Sequence, residues 1–372
     1  MSETRPVRVH TAIVGGGQAG LIMGYHLRQL GDDVVILDAL RRVGDSWRQR
    51  YDSLRLFSTP RYASLPGWRI PVSGCPTRDE MADYLEAYAL RFELPVRSGV
   101  TVLRVARTEG GSGFSVETTA GTYVADRVIV AVGAHRRPLL PEFASQLDPA
   151  IRQLHSLAYR GPGQLAPGGV LVVGAANSGT DLALESAASG HETWIAGRHP
   201  GQVPIDIDSP RAARTIPIVM FVLRRVLTRD TPWGRRAYAK ADGHGVNLVR
   251  NKVEDLEEAG VTRLGRITQV VDGRPGTADG VFPDVGTVLW CTGSGPDFGF
   301  LDVPGALDAQ GHAVHRRGLS PVDGLGFLGL DFQYSAASST IQGLTQDAVH
   351  LRRHLAHAGV RADAATPVRS LA

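Results

Sequence analysis

The chain has 372 residues, a formal net charge of +3 at pH 7, 43% hydrophobic and 21% charged residues. That length exceeds what one hydrophobic core commonly serves, so the composition predicts a soluble protein of two domains. The small net charge, with no basic run interleaved with aromatics, excludes a nucleic-acid partner. Cys75 and Cys291 are the only cysteines and form no C-x-x-C pair, which excludes a disulfide framework, a structural zinc site and a dithiol enzyme. No metal-ligand spacing stands out among the twelve histidines. The N-terminal stretch runs into a strand with no apolar signal core, and no run has the length of a transmembrane helix. A cytoplasmic location is therefore expected.

In chain order, "VHTAIV" (9–14) reads as a buried parallel strand. Residues 20–30 carry apolar side chains at helical spacing, Gly31 is the stop, and "VVILD" (34–38) is a second strand. The turn between strand and helix is Gly15-Gly16-Gly17-Gln18-Ala19-Gly20. In a G-x-G-x-x-G turn the first glycine allows the sharp bend, the second admits a pyrophosphate, and the third lets helix and strand pack. The phosphates would rest on the helix N-terminus. Asp38 ends the second strand, where a carboxylate accepts ribose hydroxyls and repels a 2′-phosphate. The first unit thus selects FAD or NAD(H) over NADP(H).

"TRDEMADYLEAYALRF" (77–92) is a helix with Thr77 as N-cap and Glu80 completing a capping box. A β-meander follows, returning to a buried strand at 127–132 and closing on Gly133, and 161–169 is a linker. The β-α-β unit then recurs. "GVLVV" ends at Val173, the turn is Gly174-Ala175-Ala176-Asn177-Ser178-Gly179, Gly190 is the helix stop, and the next strand ends at Gly197. Gly15 and Gly174, Gly17 and Ala176, Gly20 and Gly179, Gly31 and Gly190, Asp38 and Gly197 are each separated by 159 residues. Two whole units at one offset are a far stronger signal than a lone glycine motif.

The second turn keeps its bending and packing glycines, and Ala176 loosens the pyrophosphate contact. Asn177 and Ser178 add donors at the helix N-terminus. Gly197 removes the acid, and Arg198 with His199 follows. A guanidinium fits a phosphate bidentately, so this unit is expected to hold NADPH. Beyond it, 201–280 reads as irregular. Residues 211–229 within it are expected to cap the second domain and wall the substrate entrance, without membrane contact. "VGTVLWCTG" (285–293) is a late buried strand, 338–356 a final helix and 357–372 a frayed tail.

Residues 43–68 are too irregular for a plain α/β connection. Gly44, Trp47 and Arg48, followed by Asp52 to Ser58, resemble the stretch after the first dinucleotide motif in flavin-containing monooxygenases, particularly short bacterial NAD(P)/FAD-dependent oxidoreductases. The resemblance covers essentially the whole chain. It implies that Ser46, Trp47 and Arg48 touch FAD, that Ser58 and Thr59 lie near the isoalloxazine, and that Thr292 and Gly293 line the cofactor. His155-Ser156-Leu157-Ala158-Tyr159 matches the end of the family fingerprint, whereas Pro149 and Ile151 stand where its Phe and Gly would be. Tyr159, rather than Trp, favours the branch that oxygenates heteroatoms. Gln333 and Tyr334, before the last helix, are candidates to face the flavin.

The expected fold is α/β with two Rossmann-like dinucleotide-binding domains of three-layer ββα type. An NADPH domain (153–286) is inserted in a discontinuous FAD domain (1–152 and 287–372). Candidate catalytic residues are Ser58, Thr59, Asn177, Gln333 and Tyr334; Gly133 joins the turn residues as cofactor-binding. The expected activity is hydride transfer from NADPH to FAD, then oxygen activation through a C4a-(hydro)peroxyflavin, oxygenating a nitrogen or sulfur of a small molecule. Two alternatives stay open: reduction of another acceptor without oxygen insertion, and a non-catalytic redox-sensing flavoprotein. The sequence leaves the oligomeric state open.

Overall fold

The computed structural model describes residues 5–203, 207, 209, 211–241 and 247–363. Among these, Val7–Val14 (β1), Gln18–Arg28 (α1) and Val34–Asp38 (β2) form the first β-α-β unit. All five residues of β2 are buried, as a parallel strand covered on both faces requires. β1 lies between β2 and the long strand Gly121–Val130, parallel to both. That long strand changes partners along its length. Its first half pairs antiparallel with Phe114–Thr118 of the meander, and its end pairs parallel with Leu325–Phe327. The first sheet has eight strands, with Val96–Ser98 on one edge and Leu301–Asp302 on the other. α1 packs against the last helix, Ile341–Asp363.

The second unit is strand Gly169–Val173, helix Asn177–Ala188 and strand Thr193–Ala196. Its sheet has five parallel strands in the order 262–264, 193–196, 169–173, 285–290, 152–155. Apolar side chains from its two faces fill separate clusters, one around Leu182 and Leu289 and the other around Leu171 and Trp290.

Helix Arg78–Arg91 begins as expected. Thr77 Oγ1 accepts from Glu80 N, and the Glu80 carboxylate accepts from Thr77 N. Three expectations need adjustment. The stretch 201–280 holds helices Ala212–Phe221, Pro232–Ala241 and Val253–Glu258 and a hairpin of Ile267–Val271 with Arg274–Thr277, so it is not irregular. The strand Val285–Trp290 is paired wholly inside the second sheet, as is Arg152–His155. The junctions between the sheets therefore fall just before Arg152 and just after Trp290. The final helix starts at Ile341 and runs to Asp363, past the expected start of the tail; 364–372 lie outside the described residues.

Burial holds three histidines neutral. The pKa of His26 in α1 is pushed down to about 4, with Arg352 adding to the effect, and those of His315 and His350 also fall to about 4. A histidine whose folded pKa lies below its unfolded value supplies stability that is present above the unfolded pKa and lost as pH falls towards the folded one. Asp347, pushed up to about 6 by burial, acts in the opposite direction over the same range. The comparison between proteins is therefore the useful one. His26→Phe should lose less stability than wild type between pH 6.5 and 4.5, measured by urea denaturation at each pH.

Candidate functional site

The two turns are built alike, bond for bond. Gly15 N donates to Leu37 O at 2.8 Å, and Gly174 N donates to Ala196 O at 2.8 Å. The residue after the flanking strand donates to the central strand in each sheet: Ala131 N to Val14 O and Cys291 N to Val173 O, both 2.8 Å. The carbonyl of that same residue then fills the side-chain position of the turn glycine. A Cβ at Gly15 (φ +110°) would lie 2.5 Å from Ala131 O, and one at Gly174 (φ +115°) would lie 2.2 Å from Cys291 O. The helix glycine is equally confined, because a Cβ at Gly20 or Gly179 would meet the turn glycine's carbonyl at 1.9 or 1.7 Å. A side chain at any of these four positions is incompatible with the turn.

The turns differ at one coupled pair. In the first, a Cβ at Gly16 would stand 2.6 Å from Asp38 Oδ2 and 2.8 Å from Asp38 Cβ. The buried carboxylate occupies that space, and Leu40 N donates to its Oδ1 at 3.2 Å. Burial raises its pKa, while backbone N–H donors and Arg136 work against the rise. The second turn carries a methyl at the Gly16 position (Ala175) and no side chain at the Asp38 position (Gly197). Gly197 has φ +140°, and a Cβ there would lie 3.3 Å from Ala175 N. A carboxylate at 197 is thus excluded by backbone conformation and by its neighbour together. The signal for this pairing was in the 159-residue offset, but only Asp38 and Gly197 were read from it.

Around the first turn, a Cβ at Gly17 or Gly133 would meet no protein atom within 4 Å. Both lie at the carboxyl ends of parallel strands, where doubly wound sheets take their ligands. This open edge fits the pyrophosphate and ribose of a dinucleotide, with Gln18 and Ala19 opening the helix. Trp47 Nε1 donates to Gln18 Oε1 at 3.2 Å, so the short helix Asp45–Arg48 is held against the turn with Ser46 half-buried beside it. Ser58 and Thr59 are half-buried, and Thr59 opens the short helix Pro60–Ala63.

Some candidates bond within the protein. Arg48 donates to Asp83 (2.7 Å), Glu86 (3.0 Å), Asp45 (3.2 Å) and Val43 O (2.9 Å), so its guanidinium clamps the short helix to Arg78–Arg91. Gln333 is 1% exposed, and its Oε1 accepts from Gly329 N and Leu330 N. It folds back on its own loop. The ring of Tyr334 is covered by the Arg317 guanidinium, 3.8 Å from the ring centroid. Gln333 Nε2 is buried with no hydrogen-bond partner among the described residues.

Around the second turn, Asn177 spans helix and loop: its Nδ2 donates to Asn247 O at 3.0 Å, and its Oδ1 accepts from Val249 N at 3.1 Å. Arg198 is exposed. His199 Nδ1 accepts from Gly201 N at 3.0 Å, while its Nε2 is buried without a partner among the described residues. An orphaned ring nitrogen beside an exposed arginine fits an anionic group.

The sites meet at a shared seam. Tyr51, from the segment after the first unit, is buried in the second domain's core, and its hydroxyl donates to Asp181 Oδ2 at 2.8 Å. Burial raises its pKa, and the Asp181 carboxylate adds to the rise. Arg250 donates to Asp181 Oδ1 at 2.7 Å, and Asn251 donates to the same oxygen. His155 Nδ1 accepts from Leu157 N (3.2 Å), so Nε2 carries the proton and donates to Gly293 O at 2.9 Å. Burial depresses its pKa and keeps this tautomer neutral. Gly293 O also accepts from Leu139 N, and Thr292 Oγ1 donates to Leu139 O. Thr292, Gly293 and His155 thus bind the two crossing segments to each other. The Cys291 thiol is pushed up to about 12 by burial, which removes it as a nucleophile.

The pattern of the pyridine nucleotide-disulphide oxidoreductase family matches residues 12–213. The chain is 34% identical to a CzcO-like uncharacterized oxidoreductase of Geobacillus kaustophilus, across 92% of this chain and 97% of that one. It is 28% identical to a flavin-containing monooxygenase from Stenotrophomonas maltophilia, with a TM-score of 0.74 over 94% of this chain and 99% of that one. The chain belongs to this family, on its flavin-containing monooxygenase branch. Residues over 50% of the chain are also 31% identical to the indole-3-pyruvate monooxygenase YUCCA1 of Oryza sativa subsp. japonica, spanning 47% of that protein. This flavin monooxygenase is an FAD- and pyridine-nucleotide-dependent oxidoreductase.

The crowding at Gly16 gives a direct test in the flavin monooxygenase. Gly16→Ala should purify with most of its FAD lost, seen as a fall in flavin absorbance per protein, because the new methyl and Asp38 cannot share the space. Ala175→Gly in the second turn should leave FAD content unchanged.

Proposed function

We propose that the first turn holds FAD and the second holds NADPH, and that the enzyme oxygenates a nitrogen or sulfur atom of a small molecule. The observation that carries this assignment is the reciprocal exchange of Gly16 and Asp38 for Ala175 and Gly197. Two turns with the same backbone bonds differ where a ribose carboxylate would stand, so they suit different nucleotides. A 2′-phosphate is unopposed at Gly197 and is met by Arg198 and the His199 ring. A flavin held at the first turn would supply the redox chemistry, taking a hydride from NADPH and activating O2, with one oxygen atom going to the substrate and the other to water.

The protein's own contribution is positional. Asn177 fixes the helix N-terminus against the 247–249 loop, where the backbone N–H groups receive phosphate. Tyr51 and Asp181 hold the second helix against the segment that runs on to Ser58 and Thr59. His155 and Gly293 keep the crossing strands in register. By the family resemblance Ser58 and Thr59 would lie beside the isoalloxazine, and both are half-buried on the segment after the Trp47 helix. Beyond their chain neighbours, nothing lies within 4 Å of a Cβ built at Gly17 or Gly133, which leaves the backbone there open to a pyrophosphate.

Arg198→Ala should raise the KM for NADPH by roughly tenfold or more, the size of one lost charge-assisted pair, and leave NADH use nearly unchanged. Equal losses for both would remove the phosphate assignment. Ala176→Gly should tighten NADPH by admitting the pyrophosphate more closely. Anaerobic bleaching of the flavin by NADPH, followed by ¹⁸O₂ and a sulfide or tertiary amine, tests the reaction. Label in the product supports oxygenation. Bleaching with all electrons recovered as hydrogen peroxide for every substrate tried favours the reductase alternative.

A further inference from the structure

A cleft of about 540 Å³ opens where helix Pro60–Ala63, helix Ala212–Phe221 and the start of the last helix meet. Three arginines, Arg61, Arg224 and Arg225, share its wall with Tyr62, Met220 and Phe221, and no carboxylate lines it. None of the three guanidiniums forms an ion pair among the described residues. Arg224 has only a neutral partner, Gln346 Oε1 at 3.2 Å. Burial and the neighbouring charge of Arg225 both lower its pKa, so the cluster holds positive charge at a cost that an anion would offset.

Apolar side chains are interleaved with these arginines in the same lining. Phe221 is 61% exposed, a large ring left in water at the cleft's edge. The backbone changes from α to a π turn over Val222–Val226, and this turn carries Arg224 and Arg225 to the opening. Single π turns are concentrated at functional sites. The cleft also adjoins the proposed reaction centre by chain. Arg61 and Tyr62 lie one residue, Pro60, beyond Ser58 and Thr59, and Gln342 of the last helix donates to Arg61 O at 3.3 Å, closing the wall.

We propose that this cleft selects a small organic carboxylate whose aromatic or branched apolar body carries the nitrogen or sulfur to be oxygenated. Its carboxylate is taken bidentately by Arg224 or Arg225, and its body lies against Tyr62, Met220 and Phe221. This assigns the substrate class of the monooxygenase reading above, and rests on it for calling the bound acid a substrate.

The test uses the FAD-loaded enzyme with no reductant, titrated calorimetrically with 3-phenylpropanoate and with its neutral amide. The acid should bind at least tenfold tighter. Arg224→Gln with Arg225→Gln should bring the acid down to the level of the amide and leave the amide unchanged, with flavin absorbance and melting temperature confirming the fold. Should that pair lose FAD, the exposed Arg225→Gln alone should weaken the acid severalfold and not the amide. Equal binding of acid and amide overturns the inference. So does inorganic phosphate competing as well as the acid, which would mean an unselective anion site. Binding to phosphatidylglycerol vesicles through the same arginines, with no binding of the acid, overturns it in favour of a membrane surface. Flavin bleaching by NADPH is measured separately. If bleaching fails and acid binding holds, the monooxygenase reading falls and the cleft assignment stands; the reverse outcome sinks only the cleft.

Discussion

In both halves of the molecule a backbone carbonyl stands where a side chain would otherwise be. Ala131 O presses on Gly15 and Cys291 O presses on Gly174, each from the end of the strand beside the turn. The contact sets how closely three parallel strands, the turn and the first helical residue approach one another. It follows from the pairing of Gly121–Val130 with β1 and of Val285–Trp290 with Gly169–Val173. A helix N-terminus is therefore aimed at the same point above each sheet, and phosphate binding depends on that aim.

The local units were legible because their signals are local. Buried strand runs, helical spacing and glycine stops all act within about thirty residues, and Thr77 with Glu80 settles its helix start within one turn. What was not legible depends on partners far along the chain. Arg48 takes its partners from helix Arg78–Arg91, which brings Asp83 and Glu86 to it. Gln333 is drawn inward by the N–H groups of Gly329 and Leu330, and Tyr334 is covered by Arg317. The stretch 201–280 hid three helices because each is short and Pro217 interrupts the periodicity. The sequence drew a domain bound at 286/287, inside a strand whose pairing lies in the second sheet, since a buried apolar run carries no mark of which neighbour it pairs with.

The seam between the domains has the opposite character from the turns. It is made of side chains: Tyr51 to Asp181, His155 to Gly293, Thr292 to Leu139. Asp181 is 11% exposed and gathers a phenol, a guanidinium and an amide on one carboxylate. Such a network is costly when only partly satisfied, so it favours one relative placement of the two turns. The neutral His155 belongs to the same logic, because its single ring proton already has its acceptor.

The coupling of residue 16 to 38, and of 175 to 197, bears on how nucleotide preference could drift between such domains. Introducing an acid at 197 confronts the backbone of Gly174 and Ala175 and a positive φ, and removing the Ala175 methyl alone supplies no ribose ligand. Restoring the acid-bearing arrangement of the first turn therefore requires the backbone at 197 to change as well as the side chains. A duplicated unit that once made that change would stay committed to its new nucleotide, and the two halves of one chain would keep their separate cofactors for steric reasons as much as functional ones.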